Sequence, residues 1–144
     1  MPDACVAELE AAAVILHAGD VTAAAVLAEL GSYGPVEAVA GNMDDVELRA
    51  ALPEERVVDV EGARIGMVHV PGPPVGREER LTRRFPGCAA VVYGHTHVPQ
   101  VERHGGVWIL NPGSPTERRR SPRHAMLVLD VSGGAIEPRL VDLS

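Results

Sequence analysis

Asp20, Asn42, His69, His95 and His97 are the residues whose types and positions suit chemistry in this chain. Each stands at or just past the end of a short apolar run. Asp20 follows Ala13 to His17, Asn42 follows Val36 to Ala40, His69 ends Arg64 to Val70, and the histidine pair follows Ala89 to Tyr93. Such runs read as buried strands, and ligand sites of open α/β sheets gather at the C-terminal strand ends. A carboxylate, an amide oxygen and several imidazoles make a mixed donor set. It suits borderline divalent cations such as Mn, Fe, Zn or Ni. A thiolate site does not fit, because Cys5 and Cys88 lie elsewhere in the pattern.

Taken singly, these residues also have plainer roles. Asp20 can cap the next helix, Asn42 suits a turn after Gly41, and a lone His69 is more often packed than ligating. His95 and His97 resist that reading. In an extended segment, residues i and i+2 point the same way, as a shared metal requires. His17 lies inside an apolar run and reads as structural. His104 sits in a turn and His124 beside the basic loop Arg118-Arg119-Arg120, so both read as solvated.

The elements that must position these groups follow from periodicity. A helix is expected over residues 2–12, with Pro2 in its first turn and Val6, Leu9 and Ala13 at helical spacing. A second helix begins near Thr22 with the stripe Val26, Leu27 and Leu30, and stops at Gly31 or Gly34. Alternation of strand and helix over this first part implies a parallel sheet. The rhythm then changes. Arg56 to Val60 and Arg64 to Val70 read as a hairpin about Glu61-Gly62-Ala63, and Arg77 to Phe85 as a charged helix. Short strands follow at Gln100 to Arg103, Val107 to Leu110, Ala125 to Val131 and Ala135 to Val141, separated by Gly-rich turns. The later half is expected to be mostly antiparallel. The whole reads as one α/β domain over residues 1–144.

Composition sets limits. The 144 residues carry a formal net charge of −7, which argues against broad nucleic-acid binding. No apolar stretch approaches the ~20 residues that span a bilayer, so no membrane partner is expected. Two cysteines do not make a disulfide framework, and a cytoplasmic location is expected. All 13 basic residues are Arg, a compositional bias that says nothing about function.

In order, Gly19-Asp20, Gly41-Asn42, His69 and Gly94-His95-Thr96-His97 resemble the motif series of the calcineurin-like metallophosphoesterases. Leu16-His17-Ala18-Gly19-Asp20 and Asn111-Pro112-Gly113-Ser114 resemble its small single-domain phosphodiesterase branch, which includes the retromer subunit of that fold. The likeness runs from about Pro2 to Leu143. It implies a two-sheet αββα sandwich with a dinuclear metal site at the strand ends. Asp20 would bridge the metals, Asn42, His69 and His95 would complete one, and His97 would serve the other. The implied activity is hydrolysis of small phosphodiesters through a metal-activated water, with Mn first and Fe, Zn or Ni as alternatives. A non-enzymatic scaffold or binding module on the same fold is the rival reading.

Three departures qualify the likeness. The family's first strand ends in Asp-X-His, and this sequence has no such motif before Asp20. Either the start is assigned too far downstream or the natural chain is short, and the first is the expected reason. One ion is therefore expected instead of the family's two, with impaired activity. Loss of a central strand would open apolar faces and favour homo-oligomers. Met43 stands where relatives carry a proton-donating residue, so acid help to the leaving group is expected to be absent. Val70 replaces a frequent Gly and should crowd the phosphate approach slightly.

Overall fold

A computed structural model of the chain describes residues 3–12, 14–18, 30–41, 52–94, 96, 98–112 and 125–142. Helix α1 (Asp3–Ala11) leads into β1 (Ile15–His17), which pairs in parallel with β2 (Val36–Ala38). The hairpin β3 (Glu55–Val60) and β4 (Ala63–Val68) follows, then α2 (Arg77–Arg84) and β5 (Ala90–Tyr93). The remaining strands are β6 (Gln100–His104), β7 (Val107–Asn111), β8 (Ala125–Ser132) and β9 (Ala135–Asp142). Most of the helix and strand positions expected from periodicity are present, with ends shifted by one or two residues. Of the second expected helix only its end is described, where Leu30 is buried; Thr22, Val26 and Leu27 lie outside the described residues.

The main sheet has the order β3-β4-β5-β7-β6. Its two outer pairs are antiparallel, but β5 runs parallel to both β4 and β7. The expectation of a mostly antiparallel later half is therefore refined. Sequence-adjacent β6 and β7 form a hairpin, and it is the returning strand β7, not β6, that pairs with β5. This arrangement brings the C-terminal ends of β4, β5 and β7 to one edge.

Alternation along these central strands divides the apolar residues between two faces. Ala63, Ile65, Met67, Ala90, Val92 and Leu110 face a second strand layer, where Leu16, Ala18, Val39, Leu127, Leu129 and Ile136 meet them. Val68, Val91, Tyr93 and Ile109 face α2, which buries Leu81 and Phe85 there. Outside the second layer, α1 places Leu9 against Ile15 and Leu30. The order of layers is thus helix, sheet, strands, helix, the expected αββα sandwich. Among the described residues the second layer consists of two separate pairs, β1-β2 and β8-β9, and no strand precedes α1.

Two turns fix the far end. Glu61 and Gly62 both have positive φ, at 46° and 81°, which is the geometry a two-residue hairpin needs. The β8-β9 turn docks on it, with Gly134 N–H donating to Glu61 O at 2.9 Å.

Candidate metal centre

His69 follows β4 directly and is 3% exposed. Its Nδ1 lies 2.7 Å from the carbonyl oxygen of Ala18, just past β1. A carbonyl only accepts, so Nδ1 carries the proton. In the neutral ring the lone pair then belongs to Nε2, the tautomer a metal-ligating imidazole uses when a carbonyl orients its other nitrogen. The strands set this contact. Gly94 N–H donates to His69 O at 3.1 Å, one rung beyond the Val68–Tyr93 pairing of β4 with β5.

The residue at 94 must be small. A Cβ there would stand 2.8 Å from Ala18 O and 3.1 Å from His69 Nδ1. Three strand ends therefore meet at Ala18, His69 and Gly94 with no room for one more carbon. β2 joins them, because Val39 N–H donates to His17 O at 3.2 Å and leads to buried Gly41.

His69 is the one expected ligand among the described residues. Asp20, Asn42, His95 and His97 lie outside them, as does Met43. Their described neighbours are nevertheless informative. Ala18 is two residues from Asp20, Gly41 adjoins Asn42, and Gly94 and Thr96 flank His95. Among the described residues no cluster of three or more His, Cys, Asp or Glu side chains is present. Of the histidines set aside from the site, His17 is half-buried within β1, His104 is exposed at the end of β6, and His124 lies outside the described residues. Val70 is 47% exposed, outside the core.

Sequence reasoning gave no role to Asn111 beyond its place in a motif. Asn111 ends β7 and is 0% exposed. Its amide nitrogen donates to Thr96 Oγ1 at 2.9 Å and to Gly94 O at 3.4 Å. Thr96 Oγ1 also accepts from Val98 N–H at 3.2 Å, and Thr96 N–H donates to Gly94 O at 2.8 Å. A polar residue closing an apolar strand was the available signal. Tyr93 adjoins this group. Burial pushes its phenol pKa up, opposed by hydrogen bonds from Arg77 and Asn111. The Arg77 guanidinium lies 5.4 Å over the Tyr93 ring.

A surface cleft of about 560 Å³ lies elsewhere, lined by Glu55, Arg64, Arg84 and Cys88 among others. Its three arginines are paired, Arg56 with Glu37, Arg64 with Asp59 at 3.1 Å and Arg84 with Glu55. Neither His69 nor any of its neighbours lines it, so the chemistry is not assigned there.

The sequence pattern of the calcineurin-like phosphoesterase superfamily domain matches residues 1–134. The chain belongs to that family, a class of metal-dependent phosphate-ester hydrolases. It is 35% identical over 132 residues to a probable metallophosphoesterase of Methanothermobacter thermautotrophicus, covering 89% of this chain and 74% of that protein. Among solved structures it resembles Vps29 of Entamoeba histolytica complexed with zinc, at 20% identity and a TM-score of 0.78, covering 100% of this chain and 91% of that one. A novel archaeal phosphodiesterase aligns at 17% identity and a TM-score of 0.69, over 92% of this chain and 85% of that one. The two structural likenesses establish the fold. Among the described residues no helix is long and apolar enough to cross a membrane.

Proposed function

We propose that this chain is a divalent-metal-dependent phosphoesterase of small phosphodiesters, with Asp20, Asn42, His69, His95 and His97 as its metal-holding residues. The observation that carries this reading is the buried His69, whose ring is oriented by Ala18 O at a point where glycine alone fits at 94. The family match and the archaeal phosphodiesterase of like fold support the reaction class. A bound divalent cation lowers the pKa of water and neutralises phosphate oxygens during in-line displacement.

The chain's own groups have distinct parts. His69 presents Nε2 from a fixed ring. Asp20 supplies the negative charge that offsets the cation, Asn42 a neutral oxygen, and His95 and His97 neutral nitrogens. Mn²⁺ is the first expectation for this set, with Fe, Zn or Ni as alternatives. Met43 cannot donate a proton, so the leaving oxygen takes one from water, and esters of acidic phenols are favoured. A polypeptide of these 144 residues holds one ion firmly, because Asp20 and His97 alone are too few for a second.

The rival is a non-enzymatic scaffold on this fold, supported by the likeness to Vps29. The deciding experiment compares the chain, its His69→Ala variant, and the chain extended by a strand ending in Asp-X-His. Mn²⁺ content after dialysis and hydrolysis of bis-nitrophenyl phosphate are measured for each. One ion in the chain, none in His69→Ala and activity in the extended chain are expected. Metal without hydrolysis in the extended chain would favour the scaffold, and no metal in either form would overturn the reading.

A further inference from the structure

We infer that Asn111 is a positioning residue that clamps the segment carrying His95 and His97, with Thr96 Oγ1 as its anchor. The inference rests on the metal reading for its purpose, but the clamp itself is visible without it. Asn111 is wholly buried at the end of β7, and β7 is a central strand pairing with β5 and β6. Its backbone is therefore fixed, and its amide is an immobile donor. That one nitrogen reaches two points of the segment after β5, Gly94 O at 3.4 Å and Thr96 Oγ1 at 2.9 Å.

The consequence lies in the spacing. The clamp holds the residues on both sides of position 95, and through Thr96 Oγ1 it holds Val98 N–H at 3.2 Å. Positions 95 and 97 each lie between two tethered residues, in a segment with no ladder partner among the described residues. Thr96 Oγ1 accepts from both Asn111 and Val98, so the hydroxyl, not the methyl, is the required feature of Thr96. Asn111 acts as a donor in both contacts. An ionised Asp of the same size would turn an acceptor toward the Gly94 carbonyl and repel it. Groups that orient metal ligands typically change metal affinity by about 10- to 100-fold when lost.

The test uses Thr96→Val, Thr96→Ser and Asn111→Ala in the full chain. Gly66→Ala serves as a control that overpacks the core against Phe85 without touching this network. Amide exchange in the metal-free protein reads the clamp directly. Exchange at Val98 should quicken about tenfold in Thr96→Val and stay at the wild-type rate in Thr96→Ser. Mn²⁺ titration should show about tenfold weaker binding in Thr96→Val and Asn111→Ala, with Thr96→Ser and Gly66→Ala near wild type. Unchanged Val98 exchange in Thr96→Val, or equal loss of affinity in Gly66→Ala, would overturn the inference. If the wild-type chain binds no Mn²⁺, the metal reading fails, while the exchange rates still decide the clamp. Thr96 is only half-buried, so its two variants decide the anchor's part even if Asn111→Ala does not fold, and Asn111→Asp, close in size but unable to donate, then decides the part of Asn111: unchanged Mn²⁺ affinity in it would overturn the inference.

Discussion

Gly94→Ala is a one-carbon perturbation aimed at the point where β1, β4 and β5 meet. The new Cβ would stand 2.8 Å from Ala18 O, 3.1 Å from His69 Nδ1 and 3.4 Å from Ala18 Cβ. Gly94 is not among the positive-φ glycines, so backbone strain plays no part and the whole effect is steric. The nearest atom is a backbone carbonyl that cannot swing away like a side chain. Either β1 moves outward or the 2.7 Å contact between Ala18 O and His69 Nδ1 opens. Overpacking of this kind costs about 1–3 kcal/mol. Weakening the buried hydrogen bond adds roughly 0.5–1.5 kcal/mol. At ~2–4 °C per kcal/mol for a domain near this size, Tm should fall by roughly 3–18 °C. Because His69 loses its orienting partner, Mn²⁺ affinity should also fall, by about 10-fold or more. Thermal melting by circular dichroism and Mn²⁺ titration of the same sample give both numbers. Gly31→Ala is the matched control. A Cβ there meets nothing within 4 Å, and the site is a helix end, so stability should hold or rise by up to ~1 kcal/mol. A Gly94→Ala protein with wild-type Tm and wild-type affinity would refute the close approach and the role given to His69.

Gly66→Ala should separate stability from metal binding. Its Cβ would lie 2.5 Å from the Phe85 ring on the face turned to α2, so Tm should drop by the equivalent of about 1–3 kcal/mol while Mn²⁺ affinity is kept. The 144-residue chain should be nearly inactive on bis-nitrophenyl phosphate with Mn²⁺. Adding a strand that ends in Asp-X-His should raise the rate by on the order of 100-fold, or ~2.7 kcal/mol in the barrier, and an unchanged rate would count against the two-cation assignment. Cys88 is buried, and burial raises its thiol pKa, so less thiolate is present at any given pH. Alkylation at mildly alkaline pH, followed by mass spectrometry, should be far slower at Cys88 in the native chain than in urea; equal rates would contradict its burial.

The sequence by itself determined the elements and the family. Apolar runs ending in Gly-Asp, Gly-Asn or Gly-His mark strands that stop where polar groups begin, and that pattern is local. The hairpin about Glu61-Gly62-Ala63 and the charged helix α2 were legible from local pattern, whereas the tighter two-residue turn, with Glu61 at positive φ, came from the structure. Beyond the β3-β4 hairpin and the parallel first part, the strand order was not legible, because it joins residues far apart in the chain. Nothing in β5 says that β7, and not the adjacent β6, will lie beside it. That choice brings Asn111 within reach of Thr96, fifteen residues away in sequence. Ala18 and His69 are likewise fifty-one residues apart, and their contact fixes a tautomer that no motif spells out. Gly94 read as part of a motif, and the tertiary structure supplied the reason for it. Its missing Cβ is the space in which a carbonyl from one strand meets an imidazole from another.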